Sequence, residues 1–129
     1  MTELKTFEDL EAWKACRELR LFVSRQVIPH LPKDEVFRLK DQLARAARST
    51  TANVAEGYRR FHFKDNAKFI RQARGSAYEV LDHLITGCDE QLIDARLVND
   101  FRPLLERTVR IPNGYIRFLN RSADTGSQG

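Results

Sequence analysis

The chain has 129 residues, with 22 Lys and Arg against 18 Asp and Glu, for a formal charge of +4. At 42% hydrophobic and 31% charged, with a mean hydropathy of −0.50, it reads as one soluble folded domain, which excludes a second substantial domain, a disordered chain and a membrane-spanning one. Only six Gly and four Pro punctuate it. A β-sandwich or barrel needs more turn signals than that, so long helices are expected.

The first periodic segment runs from about Glu8 to Ile28. Leu10, Trp13, Cys16, Leu19, Val23 and Val27 recur at the three- and four-residue steps of one helix face. Thr6 and Asp9 have the spacing of a capping pair, and Pro29 and Pro32 end the segment because neither can continue the ladder. A second helix is expected to begin near Asp34 and Glu35 and to bury Val36, Leu39, Leu43, Ala47, Thr50 and Val54, with Gly57 at its end. The third, about Lys64 to Cys88, buries Ile70, Ala73, Ala77, Leu81, Leu84 and Cys88.

Asp94 is the expected cap of a fourth helix, with Leu97, Phe101, Leu104, Thr108, Ile111, Tyr115 and Phe118 in register. Pro103 and Pro112 fall inside that pattern, and Pro112-Asn113-Gly114 is expected to kink or break it. Four segments with short connections predict an all-α, antiparallel up-down-up-down four-helix bundle over residues 1–120. The polar stretch 121–129 is expected to be a disordered tail.

Cys16 and Cys88 are too few for a disulfide scaffold and lack metal-site spacing, so both are expected as reduced structural thiols. The first five residues lack a signal pattern and no apolar run approaches spanning length, so a cytoplasmic location without membrane contact is expected.

On the second helix, a stripe beside the core carries Gln42, Ala46, Ser49, Asn53 and Glu56 at heptad spacing. Small and polar side chains in that pattern admit two readings. One is a seam between subunits of a symmetric oligomer; the other is a local polar network on a half-exposed flank.

Charge supplies a second clue. From Arg38 to Arg74 ten basic residues oppose three acids, a net +7, which leaves −3 for the rest. Arg45, Arg48, Arg59, Arg60, Lys64, Lys68 and Arg71 are the candidate phosphate contacts, with Tyr58, Phe61 or Phe63 as stacking partners. The same aromatics could instead close the end of the bundle.

Phe7-x-x-Leu10-x-x-Trp13, Gln42-Leu43-x-Arg45-Ala46, Ser49-x-x-x-Asn53-x-Ala55-Glu56-Gly57 and Phe69-x-x-x-Ala73-x-Gly75-Ser76-x-x-Glu79 follow one another in order. From Thr6 to Leu119 this resembles the bacterial four-helix-bundle family first noticed as proteins encoded by intervening sequences inside 23S ribosomal RNA genes. The resemblance implies a ring-like homopentamer and a relation to the basic accessory bundles of diversity-generating retroelements, which bind nucleic acid and a reverse transcriptase. It casts Gln42, Ser49, Asn53, Glu56, Ser76 and Glu79 as a signature, and it implies no enzymatic activity. The Pro112-Asn113-Gly114 interruption departs from the continuous last helix such a bundle would want.

The leading expectation is a non-catalytic homo-oligomer that binds RNA or another nucleic acid through a basic face on the second and third helices. The alternative is a protein-interaction scaffold, for example for a reverse transcriptase or other polymerase, with an incidental basic surface. No cofactor or metal is expected. A di-iron bundle needs two Glu-x-x-His motifs, whereas here Glu79 and His83 are four apart and unrepeated.

Overall fold

A computed structural model of the chain describes residues 6–35, 38–60 and 62–128, with side chains described through residue 121. Val36, expected in the core, and Phe61, expected to stack, lie outside the described residues. Among those described, every regular element is helical and there is no strand.

Thr6 caps the first turn as its spacing predicts. Its Oγ1 accepts the Glu8 N–H at 3.0 Å, and the Asp9 carboxylate accepts the Thr6 N–H at 3.3 Å. The turn so capped is a short 3-10 element, Phe7–Asp9, and α1 (Glu11–Phe22) starts after it. The chain then widens into a π-helical stretch, Val23–Val27, in which the Ile28 N–H reaches back to the Val23 carbonyl. Pro29 explains the widening: it has no N–H to offer four residues back, so the ladder loosens just before it. A 3-10 turn, Ile28–His30, closes the segment, and Leu31 is extended as the residue before Pro32 must be.

Asp34 and Glu35 sit in a separate 3-10 turn, Lys33–Glu35, so α2 (Leu39–Tyr58) begins later than its charges suggested. Its core line is as expected, with Leu39, Leu43, Ala47, Thr50 and Val54 all buried. In α3 (Phe63–Asp89), Ile70, Ala73, Ala77 and Leu84 are buried, but Val80 takes the inward place expected of Leu81, which is half-buried. The Gln91 N–H donates to the Cys88 carbonyl at 3.0 Å and the Leu92 N–H to the Gly87 carbonyl at 2.8 Å. That pair of bonds, with Gln91 at φ 63°, is a Schellman stop built without glycine.

α4 (Ala95–Gln128) corrects two expectations. Asp94 does cap it, accepting the Arg96 N–H at 2.8 Å, but the helix runs through both Pro103 and Pro112 without ending. Pro112 is itself buried, between Thr108 and Ile116, and Arg74 of α3 donates a hydrogen bond to the neighbouring Asn113. Packing on both sides of the proline outweighs the hydrogen bond it removes. The helical backbone of α4 continues through 121–128.

The inward face of α4 is rotated by one residue from the expected line. Val98, Phe101, Leu105, Thr108, Pro112 and Leu119 are buried, while Leu97, Leu104 and Ile111 are half-buried and Phe118 is 54% exposed.

α2 packs on α3, α3 on α4, α4 on α1 and α1 on α2, in a bundle-like fold. Two apolar clusters fill it. One joins the end of the first segment to the start of α2, the end of α3 and the start of α4, through Leu19, Val23, Leu43, Val80, Leu84 and Phe101. The other joins the opposite halves through Leu10, Cys16, Val54, Ile70, Ala73, Ile116 and Leu119.

Candidate nucleic-acid interface

The polar stripe of α2 faces α3 of the same chain. Ser49 Oγ and Ser76 Oγ are 2.8 Å apart, and Asn53 Nδ2 donates to both the carbonyl and the Oγ of Ser49 at 2.9 Å. Glu56 accepts from Arg60 at 2.8 Å and from Arg59 at 3.2 Å, and the Arg59 hydrogen bond leads in holding its carboxyl below the usual range. Ala46 is buried and Gln42 is exposed. Ser49, Asn53 and Glu56 are thus engaged within one chain, as the local-network reading requires.

Gly57 lets the two helices meet. A Cβ there would lie 2.8 Å from Asn66 Oδ1 and 3.0 Å from Phe69 Cβ. Asn66 is buried and its Nδ2 donates to the Tyr115 hydroxyl at 3.0 Å, tying α3 to α4. Burial is the main cause raising the Tyr115 pKa, against the lowering effect of the Asn66 hydrogen bond.

All seven candidate phosphate contacts are exposed, but they do not share one face. Arg45 pairs with Asp41 at 3.0 Å, and Arg59 and Arg60 share Glu56. The Arg60 guanidinium also lies 4.9 Å from the centre of the Phe69 ring. Arg48 lines a groove with Arg20, Val23 and Ile28, on the α1 side of α2. Lys64 and Arg71 precede Tyr78 at seven-residue steps, which puts all three on one side of α3, and Tyr78 lines a groove with α4. Of the expected stacking residues, Tyr58 packs against the core while Phe63 is 41% exposed.

What sequence reasoning missed is α4. Residues 107–121 carry Arg107, Arg110, Arg117 and Arg121 and no acid, a net +4. The Asn66–Tyr115 and Arg74–Asn113 bonds bring this stretch alongside the basic first half of α3. Residues 79–106, at the other end of the α3–α4 pair, sum to −5, with seven acids against Arg96 and Arg102. The acid-free run in 107–121 was legible as a charge pattern; its place beside α3 required the fold.

Burial, opposed by a hydrogen bond from Thr50, pushes the Cys16 thiol up to about 12, so it is not a thiolate at neutral pH. His83 Nε2 lies 3.5 Å from Glu79 Oε2. Among the described residues no three His, Cys, Asp or Glu are grouped to hold a metal ion, and no helix is long and apolar enough to cross a membrane.

Compared with models of protein families, residues 8–114 match the one described as 23S rRNA-intervening sequence protein. Among curated proteins none matches the chain.

Proposed function

The chain belongs to the 23S rRNA-intervening sequence protein family, and from that premise we propose that it is a non-catalytic, homo-oligomeric bundle that binds RNA or another nucleic acid. One observation carries the reading: the basic run 59–74, six cations against Asp65, and the +4 stretch 107–121 meet at one end of the α3–α4 pair, with most of their basic side chains exposed. Clustered Arg and Lys release counterions when they neutralise phosphates, so such a surface favours polyanions and loses affinity steeply with salt.

The finer architecture belongs to the same proposal. Each apolar cluster draws on alternating ends of successive helices, which supports an antiparallel up-down-up-down order. A ring of such protomers, a homopentamer as in the resemblance, would repeat the basic end around its rim and turn weak contacts into avid ones. A cytoplasmic setting, where structured RNA is at hand, fits this role.

The test is retention of a structured RNA across a salt series, with light-scattering mass measured before and after nuclease treatment. The expected result is an oligomer whose RNA binding weakens steeply with salt and is lost on reversing Arg59, Arg60 and Lys64 to Glu. A 15 kDa monomer, or binding indifferent to salt and to the reversal, overturns the proposal. A stoichiometric polypeptide co-purifying in place of RNA would favour the scaffold reading.

A further inference from the structure

Between α3 and α4 lies an open groove of about 480 Å³ that neither the signature residues nor the seven candidate contacts account for. Its floor is apolar, from Leu105 and Val109, and Tyr78 stands at its edge with 51% of its surface exposed. Its rim carries three arginines, Arg102, Arg110 and Arg117. Arg110 is held by Glu106 at 3.0 Å, while among the described residues no ion pair is formed by Arg102 or Arg117.

We propose that this groove is a subsite for single-stranded nucleic acid, in which Tyr78 stacks on an unpaired base while Arg102 and Arg117 take phosphates several nucleotides apart along the same strand. The inference rests on the nucleic-acid reading above and adds to it a preference for unpaired strands. An exposed aromatic ring over an apolar floor, bordered by cations, is the combination that holds single strands without reading their sequence. A duplex offers phosphates to the same arginines but keeps its bases stacked internally, so only an unpaired strand can use Tyr78.

Continuity supports the assignment. Lys64, Arg71 and Tyr78 follow one another at seven-residue steps, so a strand held on the exposed Lys64 and Arg71 is led along one side of the helix to the ring. Arg102 and Arg117 are fifteen residues apart on one helix, about 22 Å at the helical rise, so the arginines span several nucleotides rather than one. Charge complementarity then selects among occupants: a neutral apolar helix would leave both guanidiniums without partners, whereas a phosphodiester backbone satisfies them.

The experiment compares binding of a labelled oligouridylate of about 15 nucleotides, within the site size of one module, with binding of an RNA hairpin of similar charge. The full chain is used, by fluorescence anisotropy over a salt series. Tyr78→Ala is expected to weaken oligouridylate binding about tenfold while leaving the hairpin unchanged, and Tyr78→Phe to keep the parent affinity for both. Converting Arg102 and Arg117 together to Gln should make the single-strand salt slope shallower by about 1.4.

If Tyr78→Ala binds oligouridylate as the parent does, while Lys64→Glu with Arg71→Glu abolishes binding, the groove assignment falls and the broader reading stands. If the parent binds neither RNA, both fall. If Tyr78→Ala changes the light-scattering mass, or an acidic, leucine-bearing peptide displaces the oligouridylate more effectively than unlabelled RNA, the face is a protein contact and the proposal is overturned.

Discussion

Ser49 on α2 and Ser76 on α3 join hydroxyls at 2.8 Å, and Asn53 locks the pair by donating to Ser49 from below. Three side chains thus satisfy one another inside a half-buried seam, where an unmet hydroxyl would cost more than a met one contributes. Ser76→Ala should therefore lower stability by about 1 kcal/mol. The double change with Ser49→Ala should cost less than the sum of the single ones, since each alone strands the other's hydroxyl. Urea unfolding of the four proteins in the cycle measures the coupling; strict additivity would mean that the two hydroxyls do not depend on each other.

The core of α2 was legible because only one apolar line runs along it; Leu39, Leu43, Ala47, Thr50 and Val54 had no rival. α4 offered two. Leu97, Leu104, Ile111 and Phe118 form one line, Val98, Leu105, Pro112 and Leu119 another, and both flank Phe101 and Thr108. Periodicity cannot choose between lines one residue apart; the positions of α1 and α3 do, and they turn Phe118 outward and Pro112 inward. Pro112 misled for a related reason, since a proline reads as a breaker until packing on either side of it is known. The basic surface followed the same division. Its charges were countable in the sequence, but the meeting of α3 with the acid-free end of α4 depended on contacts between residues about 50 apart, such as Asn66 and Tyr115.

Gly57 and Gly75 make opposite predictions on two helices. A Cβ at Gly57 would press on Asn66 Oδ1 at 2.8 Å, on Phe69 Cβ at 3.0 Å and on the Asn66 carbonyl at 3.1 Å, while one at Gly75 would meet nothing. Gly57→Ala forces α2 and α3 apart and should cost about 1–3 kcal/mol. Gly75→Ala should stabilise the exposed helix interior by about 0.5–1 kcal/mol by removing backbone freedom from the unfolded chain. Thermal unfolding should show the two midpoints moving in opposite directions.

Gln91 occupies the left-handed position of the Schellman stop after α3, at φ 63°. A side chain there pays a steric cost that glycine avoids. Gln91→Gly should raise stability by about 1 kcal/mol, whereas Gln91→Val, with branching at Cβ, should lower it. Chemical denaturation of both variants tests this, and a loss of stability in Gln91→Gly would show that the Gln91 side chain contributes more than its backbone strain removes.

Cys16 is fully buried with its thiol pKa raised to about 12, while Cys88 is partly exposed. A disulfide reagent needs both access and thiolate. In the native protein near pH 8 one cysteine, Cys88, should react readily, and Cys16 should follow only at the rate of opening or unfolding. Mass spectrometry of peptides after a timed exposure distinguishes the two. Equal labelling at early times would mean that the Leu10–Cys16–Ile70 cluster opens far more often than its packing implies.

Glu56 restrains two of the cations assigned to nucleic acid, Arg59 and Arg60. Its folded pKa is lowered, chiefly by the Arg59 hydrogen bond, so its contribution to stability is present above the unfolded carboxylate range and fades as pH falls through the folded value. Glu56→Gln should accordingly flatten the acid side of the stability profile while changing neutral stability little, because the pairs are largely exposed. On the proposed function it should also tighten RNA binding by releasing both guanidiniums and steepen the salt dependence. Asp89→Asn removes one negative charge at the acidic end and serves as the control for net charge. If the two variants gain affinity equally, the effect is one of overall charge, and Glu56 does not govern Arg59 and Arg60.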